Sequence, residues 1–420
     1  MTEPHTLTAT EAIRRIEAGQ LTPESLLRSC RERIALREPA TQAWTHLAPI
    51  ATSATTTTAQ GPLRGIPFGA KDIIDTADMP TAYGSPIHAG FQPCADAACV
   101  ALTRRAGGIL VGKTVTTEFA NLTPGPTRNP HDPLRTPGGS SSGSAAAVGD
   151  LMVPLALGTQ TTASTIRPAA YCGVYGFIPS QSRLSTSGVR QSSWTLDRLG
   201  LFSRSAADIA LWDDVLRGGS VVPLPQLYRA PRIGFCRTHL WPTVEPSVAA
   251  VLEDAAHCLG VSGAEVADVL LPAKFEAVAL AQQWISSFEF TRNYAWEIDH
   301  HVERISPALR NGRIADGLAC PEARYLEACE TASQARLAMD ALFDAHDVLL
   351  TVSAGEEAPV GTATGNYAFC ALWTIVHVPC VTIPGRTGKA GLPVGVQLIG
   401  RRGDDRRLLA IAEWAAQRIG

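Results

Sequence analysis

The sequence predicts an α/β protein: a single large mixed β-sheet covered by helices on both faces. Three observations lead there. Short apolar runs such as Ile66–Ala70, Ile109–Val111, Val348–Val352 and Val394–Ile399 recur between stretches of helical periodicity, and strands that do not alternate with polar residues are those buried on both faces. The composition is that of an ordinary globular chain, 45% apolar and 18% charged over 420 residues. No linker and no repeat at a solenoid period divides it. It therefore reads as one domain over 1–420, with N-terminal helices at 6–60, a core at 61–205, a helix-rich insertion at 240–345, and a C-terminal return of sheet and helix at 346–420.

From the N-terminus, Thr8 is placed to cap a helix over Ala9–Ala18, with Glu11 as its capping-box partner and Gly19 as its end. Thr22 precedes Pro23 at a first helical position, and Leu26, Leu27, Cys30 and Ile34 give the next helix its apolar face. The tract at 51–60 is low-complexity, a poor helix end or a solvated loop. The strand Ile66–Ala70 ends in Lys71, a lysine either paired with Asp72 or Asp75 or snorkelling to solvent. A helix at Ala97–Ala106 and a strand at Ile109–Val111 follow; GGILVGKT lacks the glycine spacing of a phosphate-binding loop. After a Pro/Asn/Gly-rich loop at 121–137 and the region discussed next, helices are expected at Ala206–Arg217 and Val248–Leu259, and strands at Ile233–Phe235 and Val266–Leu271. Residues 273–345 read as mostly helical. Strands at Val348–Val352, Val381–Ile383 and Val394–Ile399 then precede a last helix at Arg406–Arg418.

The stretch Pro137–Gly176 is the densest in small residues and hydroxyls. Two serine-bearing loops, Gly138–Ser144 and Gly158–Thr165, flank the apolar run Ala145–Leu157. A solvated Ser/Gly linker would not contain AAAVGDLMVPLAL. The run suits a buried helix followed by a strand, which would bring both loops to one edge of a sheet. Glycine-rich loops aim backbone N–H groups at small anions, so this is a cradle for an activated serine.

Net charge of −3 gives no sign of a nucleic-acid or anionic-membrane partner. No window has the length and apolarity of a membrane span, and MTEPHTLTATEAIRR lacks the apolar core of a signal peptide. Ten cysteines without a Cys-x-x-Cys read as free thiols of a reducing cytoplasm. No metal site is suggested: the adjacent His300 and His301 would point to different sides of a helix.

GGSSSGSAAAVGDLMVPLALGTQTTASTIRPAAYCG resembles the signature of the amidase signature family, and GIPFGAKDIID and GLPVGVQLIGRRGDDRRLL agree with it. The similarity runs from residue 6 to the end. Within the family, GTQT and S-x-IRPAAYCG are most similar to the short bacterial malonamidase-type amidases. The resemblance implies a Ser-Ser-Lys triad: Ser164 as nucleophile, Ser140 as the bridging serine with a cis peptide bond, and Lys71 as base. It implies an oxyanion hole at Thr161, Thr162, Ala163 and the N–H of Ser164. Family members commonly read T-G-G-S or T-A-G-S there. A β-branched Thr162 would be strained if that position required φ > 0, and the added side chains would narrow the pocket. Gln160 stands where many members carry Asp.

Chemistry asks for the same parts. A serine hydroxyl needs a base, and a lysine is a base only when neutral, so its pKa of about 10.4 must be lowered by burial or a nearby cation. Ser141, Ser142 and Ser144 are read as loop and helix-cap hydroxyls, Thr159 and Gln160 as supporting hydrogen-bond partners. Asp197 either orients the serine loops or serves as a cap or surface group. Arg167 either braces the loop through carbonyls or enters the pocket as a ligand for a substrate carboxylate, the role assigned to it here. The expected function is a cytoplasmic serine amidohydrolase cleaving a small carboxamide, with no cofactor, no metal, no nucleic-acid or membrane partner, and a homodimer allowed. The alternatives are the amidase subunit of a tRNA-dependent amidotransferase, or a weakly catalytic member acting as a binding or assembly subunit.

Overall fold

A computed structural model of the chain describes residues 3–49 and 60–419; apart from Gln60, the low-complexity tract lies outside them. Among the described residues eleven strands form one sheet: β1 (Trp44–Leu47), β2 (Pro67–Lys71), β3 (Ile109–Thr114), β4 (Leu155–Gln160), β5 (Tyr175–Ile178), β6 (Arg198–Ser203), β7 (Arg232–Cys236), β8 (Glu265–Val269), β9 (Val348–Val352), β10 (Cys380–Thr387) and β11 (Pro393–Gly400). Their order is β1-β3-β2-β4-β6-β5-β10-β11-β9-β7-β8. β2 is parallel to both β3 and β4, β7 is parallel to β8 and β9, and the remaining neighbours are antiparallel. The expected mixed sheet is thus observed.

Both faces are covered because successive residues enter different cores. Leu155 and Leu157 pack with Phe68, Leu199 and Leu201 and with the helices Ala206–Leu216 and Asp405–Ile419. Ala156, between them, packs with Ala145–Val148 of the opposite layer. A third cluster joins Ile178, Cys380 and Ile399 to the helices Val278–Asn293, Glu322–Ala345 and Ala368–Ile375. No described helix is long and apolar enough to cross a membrane.

Most expected elements are present within a few residues. Thr8 accepts from the Glu11 N–H at 3.2 Å, but the Glu11 carboxylate does not close the box; Arg14 and Arg15 hold it instead. A reciprocal box forms one helix later, between Thr22 and Ser25. That helix, Pro23–Thr41, is tied to the end of the signature helix by Asp150, which accepts from Arg33 and Arg37 at 2.8 Å each and from Thr41. The all-helical reading of 6–60 is corrected by β1, and β5, β6 and the helix Ala368–Ile375 are additional.

Candidate active site

The loop–helix–strand unit forms as its composition dictates. The helix Ser142–Gly149 is wholly buried except at its last residue, β4 is wholly buried, and the loops before and after them meet at the C-terminal ends of β2 and β4. These strands lie inside the sheet, not at its edge. Two glycines permit the approach. Gly138 has φ +80°, and a Cβ on Gly143 would collide with the Ala43 carbonyl oxygen and the Val115 nitrogen. The Gly139–Ser140 peptide is cis. Ser141, Ser142 and Ser144 do not cap the helix; their hydroxyls donate to carbonyls of Thr159, Val115 and Leu157 and stitch it to the sheet.

Lys71 ends β2 with no exposed surface. Its Nζ donates to Ser140 Oγ at 2.7 Å and Thr159 Oγ1 at 2.9 Å. Neither Asp72 nor Asp75 pairs with it. Asp72 pairs with the buried Lys113 at 3.0 Å, and Asp75 accepts from the Tyr83 hydroxyl. Burial without a touching carboxylate pushes the Lys71 pKa down to about 7, against the opposing influence of the Asp197 charge. A substantial neutral fraction at neutral pH follows. Thr159 is therefore a direct partner of Lys71.

Ser164 is half-buried at the wall of a cavity of about 490 Å³, and its carbonyl accepts from the Ser141 N–H at 3.3 Å. Every carbonyl of the 161–164 loop accepts a hydrogen bond. Thr161 accepts from Gln282, Thr162 from the Thr374 hydroxyl at 2.9 Å, Ala163 from the Arg167 N–H and Ser164 from Ser141. The four N–H groups of the loop donate to no other described residue, and all four residues line the cavity. Tied carbonyls and free N–H groups are the arrangement an oxyanion requires.

Thr162 and Ala163 are absent from the residues with positive φ, so the feared strain at Thr162 does not arise. The Thr162 hydroxyl instead accepts from Gln282 Nε2 at 2.7 Å. Gln160 accepts from the N–H groups of Thr165 and Ile166 and donates to Thr374, linking both departures into one network. Asp197 takes the orienting role: it accepts from Thr161 Oγ1 at 2.5 Å and from the N–H groups of Ser192 and Ser193. Burial raises its pKa to about 6. Arg167 braces: its Nη1 donates to the Gly365 carbonyl and its Nη2 to the Gly139 carbonyl, both at 2.7 Å.

Sequence reasoning missed Gln282 and Thr374, although a polar side chain inside an apolar helix face signals a buried partner. Among the described residues no three His, Cys, Asp or Glu side chains converge on a metal position.

Comparison with known proteins bears on the chain as a whole. A family model described as Amidase matches residues 25–409. One subunit of the glutamyl-tRNA(Gln) amidotransferase of Chloroflexus aggregans is 33% identical over 477 residues, covering 100% of this chain and 97% of that protein. A structure described as a crystal structure of amidase superposes with TM-score 0.90 at 30% identity, covering 99% of this chain and 100% of that one. Another, an inhibitor-bound vestigial complex tied to the origins of an s-triazine catabolic enzyme, superposes with TM-score 0.91 at 26% identity, covering 99% and 100%.

These findings overturn the expectation of a small-molecule substrate without nucleic acid. The similar protein from Chloroflexus is named as one component of an enzyme of a tRNA. A charge total near neutrality reports only the average surface of one chain, and is silent on a partner reached through other subunits. Family match, full-length kinship and superposition agree: the chain belongs to the amidase signature family.

Proposed function

We propose that the chain breaks an amide C–N bond by acyl transfer through Ser164. The observation that carries this reading is Lys71, fully buried, free of any touching carboxylate, and bonded to Ser140 Oγ at 2.7 Å. In the proposed reaction Ser164 Oγ attacks the amide carbonyl, and its proton passes through Ser140 to neutral Lys71. The N–H groups of Thr161–Ser164 stabilise the oxyanion. The proton returns by the same route to the leaving nitrogen, and ammonia or an amine departs. Water then adds to the acyl-enzyme with Lys71 again as base, releasing the carboxylic acid and Ser164.

The names of the full-length relatives favour an amidase subunit of a tRNA-dependent amidotransferase as the setting. A free-standing linear-amide hydrolase is the second reading, favoured by the superposition on a chain described simply as an amidase and by the Gln160–Thr374–Thr162 network. The malonamidase-type kinship belongs to this second reading, and rests on the short length of the chain and on the GTQT and S-x-IRPAAYCG runs. A fluorophosphonate probe tests the chemistry: mass mapping should find it on Ser164, and a label elsewhere refutes the assignment. Ammonia release from simple amides by the purified chain separates the settings, because the subunit reading expects turnover to depend on partner subunits.

A further inference from the structure

The hydroxyls next to Ser164 differ in where their protons go. Thr161 Oγ1 donates to Asp197, Thr165 Oγ1 to the Thr159 carbonyl at 3.1 Å, and Thr374 Oγ1 to the Thr162 carbonyl at 2.9 Å. Thr162 has no such outlet. Gln282, buried on the helix Val278–Asn293, sends Nε2 toward both the Thr161 carbonyl at 3.4 Å and Thr162 Oγ1 at 2.7 Å. A carbonyl oxygen only accepts, so the amide end between the two is the NH2 group, and Thr162 Oγ1 is its acceptor. A hydroxyl that accepts still owns one proton, and this one has no acceptor among the described residues. Thr162 is only 8% exposed, yet it lines the cavity together with Ser164 and Gln282. Its carbonyl is held by Thr374, which accepts in turn from Gln160 at 3.1 Å. Backbone and side chain of Thr162 are thus each fixed by a separate donor.

We propose that the Thr162 hydroxyl is a catalytic donor, joining the loop N–H groups on the oxyanion formed when Ser164 attacks, and that Gln282 is its positioning residue. This rests on the acyl-transfer reading above. In two of the three staggered χ1 wells a threonine Oγ1 stands beside its own N–H, so both can meet one acceptor. In the step, Ser164 Oγ bonds the carbonyl carbon and the π pair moves onto the carbonyl oxygen. The Ser164 proton leaves through Ser140 to Lys71. Thr162 keeps its proton throughout and donates only a hydrogen bond, which strengthens as the oxygen gains charge. Glycine or alanine at this loop position offers no such proton.

The test compares Thr162→Val, which keeps the shape and removes the proton, with Thr162→Ser, which keeps the proton. An alkyl fluorophosphonate reports through its rate of attachment to Ser164, because phosphonylation draws charge onto an oxygen in the same hole. Thr162→Val should slow labelling about ten- to a hundredfold. It should lower kcat for 4-nitrophenyl acetate by a similar factor with KM unchanged, the mark of a contact made in the transition state. Thr162→Ser should retain most of both rates. Gln282→Met should fall between wild type and Thr162→Val, and should cost nothing further when added to Thr162→Val. Labelling of the Val variant at the wild-type rate, or an equal loss in the Ser and Val variants, overturns the donor. A full Gln282→Met loss on the Val background overturns the positioning role. If Gln282→Met fails to fold, the Val and Ser variants still decide the donor. A wild-type protein that takes no fluorophosphonate on Ser164 fells the acyl-transfer reading and the donor with it, whereas a labelled wild type with an equally fast Val variant fells the donor alone.

Discussion

Replacing Lys71 by Met tests the buried base through stability instead of rate. Lys71 has an ordinary pKa of 10.5 that burial lowers to about 7 in the folded chain. Between those two values the unfolded chain holds a proton that the folded chain does not, so stability rises with pH across that window. The penalty is fully present below the folded value and absent above the unfolded one. At about 1.4 kcal/mol per pH unit, the ionisation mismatch costs the fold roughly 4 kcal/mol at pH 7 and roughly 2 kcal/mol at pH 9. Methionine fills similar space and removes the mismatch at every pH. It also removes the bonds to Ser140 and Thr159, a loss of about 1 kcal/mol each that does not vary with pH. The sign of the net change at one pH is therefore no test; its slope is. Urea unfolding of both proteins should show the variant's stability relative to wild type shrinking by about 2 kcal/mol from pH 7 to pH 9. A difference that stays constant across that range refutes a depressed lysine, and with it the general base.

The rate should carry the same signature, with kcat/KM rising as pH passes through the Lys71 value near 7. Because the Asp197 charge opposes the lowering of that value, Asp197→Asn should move the rising limb to lower pH; an unmoved limb would leave Asp197 a purely structural brace. Thr162→Gly combined with Ala163→Gly removes the Gln282 contact and opens the wall, so kcat/KM for bulky amides should gain relative to that for acetamide-sized ones. Equal effects on all amides would deny the narrowing. Asp150→Asn should destabilise the fold by about 3 kcal/mol with little change in KM, because it takes the negative charge from between Arg33 and Arg37 and replaces one of the two buried acceptor oxygens they share with Thr41 by an NH2 donor; thermal unfolding measures it.

Strands buried on both faces were readable because their runs are predominantly apolar, with single polar residues such as Thr351 and Gln397 inside them, and Lys71 stood out as a charge closing such a run. The short strands were not. WTHL in β1 is four residues beside a helical pattern, while YGFI and RLGLFS in β5 and β6 are broken by glycines that lower any local strand preference. The helix Ala368–Ile375 is apolar on all sides, and without a polar face it has no period to detect. At the site, residue types were legible and directions were not. Whether Arg167 turns toward carbonyls or toward solvent depends on Gly139 and on Gly365, 198 residues away in sequence. Thr162 was read as an obstruction because its neighbour Gln282, from a helix more than a hundred residues on, was invisible to local pattern.

The burial of Lys71 and Lys113 has a consequence for the chemistry of the whole surface. Of 36 basic residues only four are lysines. Two of these, Lys71 and Lys113, have no exposed surface, while Lys274 and Lys389 are exposed. The cationic exterior is thus almost entirely guanidinium, which acetylation and other amine-directed reagents leave untouched. Among the lysines, such reagents reach Lys274 and Lys389 in the folded protein. Any adduct at Lys71 or Lys113 then marks a molecule in which the C-terminal ends of β2 and β3 have opened to solvent, so timed amine labelling becomes a clock for that opening.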